Sequence, residues 1–496
     1  MSTQKETSNK VPRDLEKRSV SPGPSATSQD IENVEGISNI NEKSLLRKLD
    51  LKLLPAVTVL YLLSFLDRSN VANAKIEGLA EDLNMTGNQY LTGLTLYFVG
   101  YVLFELPCNI ALKLTTPKFW LPTLTLAWGV VSTLMGIIQS LTGFFVVRFF
   151  LGVTESGLFP GVVFYLSMWY KRNERSYRIA LFFSAASLAG AFGGLLAWGI
   201  AHMKGVAGLN GWRWIFILEG IFTCLVSLCA YHFIANYPAT AKFLTEDQRV
   251  FIHARLKDDS DATRDERFSW SNVGEALKDP KCWLYGLGFH TMSLPLYTLS
   301  LFLPTIIKEL GYSAAEAQLL TVPPYALATV LTVTAAIFSE RLVLRAPFIM
   351  SSSFLAMIGY IILLTCPTPG ISYFGTILAA AGIYPATAIV LSWPANNVSG
   401  QMKRATSNAM QISIGNLGAV LGTQLYRNGA GPRFFLGHGF ALGYLVANQV
   451  IVGILWRLLA MENKKRDRRE RDERFDYSTD GDDWLGDKDP RWRFQT

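Results

Sequence analysis

Long apolar stretches recur along this chain and limit its possible folds more than any other feature. A helix needs roughly 20 apolar residues to cross a bilayer, and we count about twelve stretches of that length. Such stretches are too long and too continuously apolar for barrel strands. The sequence therefore predicts an all-α membrane protein with twelve transmembrane helices. The predicted spans are 50–72, 90–113, 119–140, 143–169, 177–202, 212–235, 281–306, 317–340, 346–366, 371–393, 404–426 and 436–460.

The charged residues support this interpretation and predict an orientation. Only 17% of the 496 residues are charged, and the formal net charge is +7. Basic residues occupy alternate loops instead of one patch, so no nucleic-acid partner is expected. Loops rich in Lys and Arg face the cytoplasm, and an even number of spans places both tails there too. The basic residues concerned are Lys113, Lys118, Lys171, Arg172, Arg175, Arg178, Arg341, Arg345, Lys403 and Arg404.

Polar segments divide the chain into two sets of six spans. The first segment is rich in Ser, Pro, Glu and Lys, a composition typical of disorder. In the central segment, TEDQ from Thr245 is a capping signature that predicts a short helix. The predicted organisation is a disordered cytoplasmic tail at 1–47, a six-helix bundle at 48–236, a cytoplasmic loop at 237–280, a second bundle at 281–460 and a charged cytoplasmic tail at 461–496.

The chemistry-bearing residues do not indicate an enzyme. The five cysteines lie in or beside apolar stretches, without the spacing of a disulfide framework or a zinc site. We find no catalytic or metal-ligand cluster and no GxxxxGK[ST] phosphate loop. No cofactor and no metal are therefore expected, and transport would have to be driven by an ion gradient.

The two sets of spans show internal similarity. Aligning Gly190 with Gly415 matches GAFGGLL at 190–196 with GNLGAVL at 415–421. The fifth and eleventh spans then become equivalent elements of two halves. Parallel six-helix repeats that hold substrate between them are typical of secondary transporters. Glycine patterns also occur wherever helices pack closely.

A charged residue inside a predicted span costs about 2.5–3.5 kcal/mol on the insertion scale. Four such residues, two in the first span and two in the fourth, are the main site candidates. Asp67 and Arg68 lie toward the outer end of the first span, where snorkelling could reduce that cost. Arg148 and Glu155, in the fourth span, lie on one helix face, roughly 10 Å apart by helical rise. They cannot pair directly, so we expect them to meet Asp67 and Arg68 around one cavity.

This combination suits proton-coupled transport of an anion. An arginine offers a planar fork to a carboxylate, and a buried carboxyl can carry a proton. Arg68 and Arg148 are therefore predicted to bind substrate, and Asp67 and Glu155 to handle the proton. A purely structural ion network is the alternative.

Other polar residues are weaker candidates. Glu105 lies near the inner end of the second span, where a gating salt bridge is expected. Tyr97, Tyr101 and Asn416 are polar side chains that could face the cavity and bind substrate. Each could equally satisfy a neighbouring helix.

Several motifs resemble the major facilitator superfamily. They are LDRSNVANA (66–74), YFVGYVLFELPCN (97–109), RFFLGVTESGLFPG (148–161) and GWRWIFILEG (211–220). The resemblance is to the anion:cation symporter branch, and SLFLPTIIKELGYSAAEAQLLTVPPY (300–325) is similar to fungal nicotinate and allantoate permeases. It implies the major facilitator fold, alternating access, proton symport of a small organic anion, and roles for the four intramembrane charges in proton and anion handling.

Together these features predict a plasma-membrane transporter that takes up a small organic carboxylate with a proton. Its expected partners are the anion, the proton and the lipid bilayer, and a monomer is expected. Two alternatives stay open: a nutrient sensor that does not transport, and proton-driven drug efflux by the same fold.

Overall fold

The computed structural model describes residues 40–258, 270–427, 429–468, 487 and 492–496. We number its α-helices in chain order. They are α1 Glu42–Ile76, α2 Leu79–Asp82, α3 Gly87–Leu114, α4 Pro117–Met135, α5 Leu141–Glu155, α6 Leu158–Ser167, α7 Arg172–Ala201, α8 Gly211–Phe233, α9 Glu246–Asp258, α10 Trp270–Lys278, α11 Pro280–Glu309, α12 Ala314–Leu319, α13 Val322–Leu342, α14 Ala346–Thr365, α15 Pro369–Asn397, α16 Gln401–Gly422 and α17 Phe435–Asp467.

All twelve predicted spans are helical, with ends that differ by several residues. Within the described residues, nine spans are long and apolar enough to cross a membrane. The other three long helices, α4, α11 and α16, occupy the third, seventh and eleventh predicted spans. Helices α1–α8 form the N-terminal half of the protein, and α11–α17 form the C-terminal half.

The fourth predicted span is interrupted between α5 and α6. Pro160 has no N–H to donate to the carbonyl of Ser156, which weakens the helix at that point. The turn also brings the chain close to α3, because a Cβ on Gly157 would lie 2.8 Å from Cβ of Cys108. The eighth span has a similar break between α12 and α13, just before Pro323 and Pro324.

The first helix begins earlier than predicted. The Asn41 side chain caps it by accepting from the Ser44 N–H at 3.2 Å. An N-cap of this type satisfies a backbone donor that the helix leaves free. The predicted boundary at 47 was therefore wrong, and 42–47 are helical. The rest of the predicted disordered tail, 1–39, lies outside the described residues.

The central segment contains the predicted short helix, α9. Thr245 and Gln248 cap it reciprocally, each backbone N–H donating to the other's side chain at 3.4 Å. On the same helix, Arg255 pairs with Glu42 at 2.6 Å and also with Glu174. The segment is thus joined to the starts of α1 and α7.

The two halves contact each other near both ends of the bundle. We call the end with Lys171, Arg175 and Arg178 the basic end and the other the opposite end. At the basic end, Ser176 Oγ donates to the Ser392 carbonyl at 3.2 Å. Toward the opposite end, Gln318 Nε2 donates to Glu77 Oε1 at 3.0 Å, and Thr95 and Thr423 hydroxyls lie 2.7 Å apart. The structure is therefore closed at both ends.

A close backbone approach strengthens the contact toward the opposite end. A Cβ on Gly194 of α7 would lie 2.0 Å from Thr321 Oγ1 and 2.5 Å from the Gln318 carbonyl of the other half. Only glycine lets the helices approach this closely, because any side chain would collide with them. Helix α15, which lies at the boundary, is buried on all sides from Ala379 to Asn397.

Residues 492–496 dock on the C-terminal half at the basic end. The Thr496 carbonyl accepts from the Arg345 N–H at 2.5 Å. The Gln495 and Phe494 N–H groups donate to Asn397 Oδ1 at 2.8 Å and Asn463 Oδ1 at 2.9 Å. This part of the predicted charged tail is thus anchored, and α17 runs to Asp467, beyond the predicted boundary at 460.

We expect Phe494→Ala to release this docked segment. The Phe494 side chain is 4% exposed and stacks near Arg466 and Lys281, 4.7 and 4.6 Å from its ring centre. Truncating a buried phenylalanine costs about 3–5 kcal/mol. Hydrogen exchange at the amides of Phe494 and Gln495 should accelerate strongly, whereas Arg493→Ala, at a partly exposed side chain, should change it little. Unchanged protection in Phe494→Ala would contradict the docking.

Candidate functional site

A buried ion pair between Arg68 and Glu155 joins α1 to α5 where the N-terminal half meets the C-terminal half. Arg68 Nη2 is 2.8 Å from Glu155 Oε1, and the two side chains are 5% and 1% exposed. The structure thus brings the arginine of the first span to the glutamate of the fourth, as the sequence predicted.

Hydroxyl groups from three helices complete the surroundings of this pair. Ser64 donates to Glu155 Oε1, and the Tyr97 hydroxyl donates to Oε2 at 2.5 Å. From the other half, the Tyr297 hydroxyl accepts from Arg68 Nη1 at 2.8 Å. A buried ion pair offsets its desolvation only with such additional bonds, and removing one partner typically costs about 3–5 kcal/mol. A change of charge at either member would therefore disturb the whole group.

Arg148 is buried beside this group without joining it. The residue is 0% exposed, and its three guanidinium nitrogens have no hydrogen-bond partner among the described residues. Its guanidinium carbon lies 5.0 Å from the centre of the Tyr97 ring, and that of Arg68 lies 5.3 Å from the same centre. The two guanidinium groups are therefore at most about 10 Å apart, and only that of Arg68 is hydrogen-bonded among the described residues.

A small cavity of about 20 Å³ lies next to Arg68, between the two halves. A space of this size holds about one water molecule. Tyr101 and Asn416 line it, as predicted, whereas Tyr97 is not part of its wall and instead bonds Glu155. The remaining wall is largely aromatic. It consists of Tyr61, Phe159, Phe183, Phe289 and Tyr297, with Leu391 and Ile412.

Of the four charged residues, Arg68 alone is part of the wall of this cavity, so the prediction that all four surround it was wrong. Asp67 lies away from it. Its carboxylate accepts from Ser132 Oγ at 2.8 Å and Thr223 Oγ1 at 3.1 Å, on α4 and α8. Consecutive helical residues point about 100° apart, because a turn contains 3.6 residues. Arg68 thus points toward the cavity, and its sequence neighbour Asp67 points into the N-terminal half.

Glu105 has no ion pair in the described part of the chain, so the expected gating salt bridge is absent there. The residue is 1% exposed, and its Oε2 accepts from Ser413 Oγ at 3.4 Å. Ser413 belongs to the C-terminal half. The contact therefore does link the halves, but through a hydroxyl instead of a cation.

Sequence reasoning missed two members of the central group. Ser64 precedes Arg68 by four positions and so shares its helix face, a spacing that could have identified it. Tyr297 lies on α11 and meets Arg68 only because the two halves pack together. Sequence reasoning also missed a hydrogen bond near Asp67, in which Asn70 Nδ2 donates to Glu219 Oε2 at 2.5 Å. Among the described residues, no group of three or more His, Cys, Asp or Glu side chains could hold a metal ion.

Comparisons with known proteins bear on the family and the fold. Residues 57–423 match the family model described as Major Facilitator Superfamily. The MFS-type transporter cnsO of Penicillium expansum is 38% identical over 481 residues, which cover 94% of this chain and 92% of that protein. The high-affinity nicotinic acid transporter of Saccharomyces cerevisiae is 32% identical over 475 residues, which cover 95% and 88%.

A solved structure shows a similar fold. The proton:xylose symporter XylE, bound to 6-bromo-6-deoxy-D-glucose, matches with a TM-score of 0.60 at 15% identity, over 82% of this chain and 95% of that one. Similarity at that identity supports the fold alone.

The family model covers most of the chain, and both sequence relatives align over nearly its full length. These relatives are transporters, so the prediction that this multi-pass membrane protein is not an enzyme is confirmed. The resemblance inferred from the sequence motifs is confirmed as well, and the chain belongs to the major facilitator superfamily.

Proposed function

We propose that this protein takes up a small organic carboxylate together with a proton, by alternating access. The observation that most supports this proposal is the buried guanidinium of Arg148, whose nitrogens have no partner among the described residues. Burying an unpaired charge is costly. An anion that pairs with Arg148 at another stage of the cycle would offset that cost, and a substrate carboxylate has the matching two-oxygen geometry.

The pair of Arg68 and Glu155 offers a route to coupling. While Glu155 is charged, it holds Arg68 at 2.8 Å. A proton on Glu155 would discharge the pair and leave Arg68 free to bind the substrate carboxylate. Proton and anion would therefore occupy the site together.

Closure at both ends fits alternating access. A cavity of about 20 Å³ is too small for an organic anion, so substrate must enter when one end opens. The basic end is the cytoplasmic one by the charge rule, which places both tails inside. We propose that the protein acts as a monomer in the plasma membrane.

The cavity wall favours a planar aromatic carboxylate over an aliphatic one such as allantoate. Six aromatic rings line it, three of them phenylalanines without a polar group. Aromatic pairs contribute about 0.5–1.5 kcal/mol beyond the area that they bury. Asn416 adds one amide that could bond a ring heteroatom. The yeast relative, a high-affinity nicotinic acid transporter, is consistent with this class.

Uptake by purified protein in proteoliposomes tests the proposal. We expect labelled nicotinate to accumulate when the outside is acidic, and a protonophore to abolish the accumulation. Nicotinamide, which lacks only the carboxylate, should not compete. Benzoate should compete better than cyclohexanecarboxylate, which lacks only the aromatic ring.

Other outcomes would separate the alternatives. Binding of nicotinate without flux in either direction would indicate a sensor. Export of apolar compounds against a proton gradient, without carboxylate uptake, would indicate efflux. Equal competition by nicotinamide would contradict carboxylate recognition.

A further inference from the structure

Glu105 is a buried carboxyl at the boundary between the two halves that the proposed cycle does not use. It lies in the basic-end part of α3 and is 1% exposed. Its only hydrogen bond among the described residues comes from Ser413 Oγ on α16, at 3.4 Å, and its Oε1 has no partner there. A distance of 3.4 Å is beyond the usual range for hydroxyl donors, so the contact holds this carboxyl weakly.

In the described part of the chain, the groups around Glu105 do not include a cation that pairs with it. Tyr101 and Cys108 flank it on its own helix, and Tyr297 approaches from α11. From α16 the facing group is the Ser413 hydroxyl. The end of α5 and the following turn contact the neighbouring Cys108 through the Val153 carbonyl and Ser156. Arg68 stands beyond Tyr101, 5.6 Å from its ring centre, and is held by Glu155.

This setting makes closure depend on a proton. A carboxylate buried without a cation is destabilised by several kcal/mol, and a proton on it removes most of that cost. Opening at the basic end would separate α3 from α16 and admit water to the carboxyl, which could then ionise. Contacts between Thr95 and Thr423, nearer the opposite end of the same two helices, could remain in place.

We infer that Glu105 is an additional proton-binding site that controls opening at the basic end. The protonated carboxyl is compatible with the closed contact between α3 and α16, and the ionised carboxyl favours the open one. A rise in the pH of the solution at the basic end therefore drives opening of that end. This inference holds whichever anion is transported.

A cysteine at position 176 can report this opening. Ser176 is 1% exposed and contacts the Ser392 carbonyl across the halves, so a thiol reagent reaches it only when the basic end opens. The labelling rate of Ser176→Cys would be measured against pH in full-length protein without added substrate, with and without Glu105→Gln. The thiol's own pH dependence is the same in both proteins. It therefore cancels when the labelling rate of the protein with Glu105 is divided by the rate of the protein with Glu105→Gln.

We expect this ratio to rise with pH, by up to about tenfold per pH unit, which is the limit for one linked proton. Ser413→Ala retains the carboxyl and should keep the pH dependence. A ratio that is flat with pH would overturn the inference. Because the measurement uses neither substrate nor gradient, its failure is separate from a failure of the proposed transport.

Discussion

Replacing Arg148 with lysine is expected to raise the KM for the transported carboxylate by about 10- to 100-fold. Hydrogen bonds to charged groups contribute about 1.5–3 kcal/mol, and each 1.4 kcal/mol corresponds to a factor of ten. Lysine keeps the charge but loses the planar fork that binds two carboxylate oxygens. Initial rates of uptake in proteoliposomes, over a range of substrate concentrations, give the KM directly.

Arg213→Lys is the matched control for this change. Arg213 already donates to the carbonyls of Gly136 and Ile138 at 3.2 and 2.6 Å, so its guanidinium is satisfied within the protein. Its replacement should lower thermal stability and leave the KM unchanged. An unchanged KM in Arg148→Lys, with normal amounts of folded protein, would assign Arg148 a structural role.

Glu155→Gln is expected to abolish uphill accumulation driven by a pH gradient while retaining exchange of substrate across the membrane. Glutamine mimics the protonated acid and cannot release a proton, so the site stays in its anion-binding form. Arg68 loses its charged partner but keeps its bond to Tyr297. Accumulation and counterflow would be measured in the same proteoliposomes, with internal substrate present only for counterflow.

Asp67→Asn separates the two acids. The sequence predicted that both Asp67 and Glu155 handle the proton, and Asp67 is the one with an arginine next to it in the chain. In the structure, however, Arg68 pairs with Glu155, whereas Asp67 accepts from the hydroxyl groups of Ser132 and Thr223. Accumulation that survives in Glu155→Gln but is lost in Asp67→Asn would assign the coupling proton to Asp67.

The architecture could be predicted from the sequence because each span is specified by local composition. Length and apolarity locate the twelve helices independently of their neighbours. The meeting of Arg68 with Glu155 could also be predicted, because two buried charges of opposite sign stabilise each other and few others were available. These inferences depend on composition and charge, which are visible without coordinates.

The contacts that could not be predicted depend on the direction in which side chains point and on packing between residues that are far apart in the chain. Asp67 and Arg68 are neighbours in the chain, yet their side chains diverge around α1 and reach different helices. Tyr297 joins the site from 229 positions away. Phe494 follows a strongly charged run, and nothing in that run indicates that the residue fits between Arg466 and Lys281. Each of these contacts results from the packing of whole helices.

Gly194 limits which substitutions this protein can tolerate. The closed opposite end has no room for a methyl group there, since Thr321 and the Gln318 carbonyl already occupy that space. A side chain at this site would act as a wedge that shifts the population toward states open at that end. Because substrate enters only when one end opens, such a shift would leave binding at that end possible but would lower the fraction of molecules that can close and complete the cycle. Substitution of Gly194 is thus restricted by the contact between the halves, although Gly194 belongs to neither the proton site nor the substrate site. A larger residue introduced there offers a means of trapping one conformation.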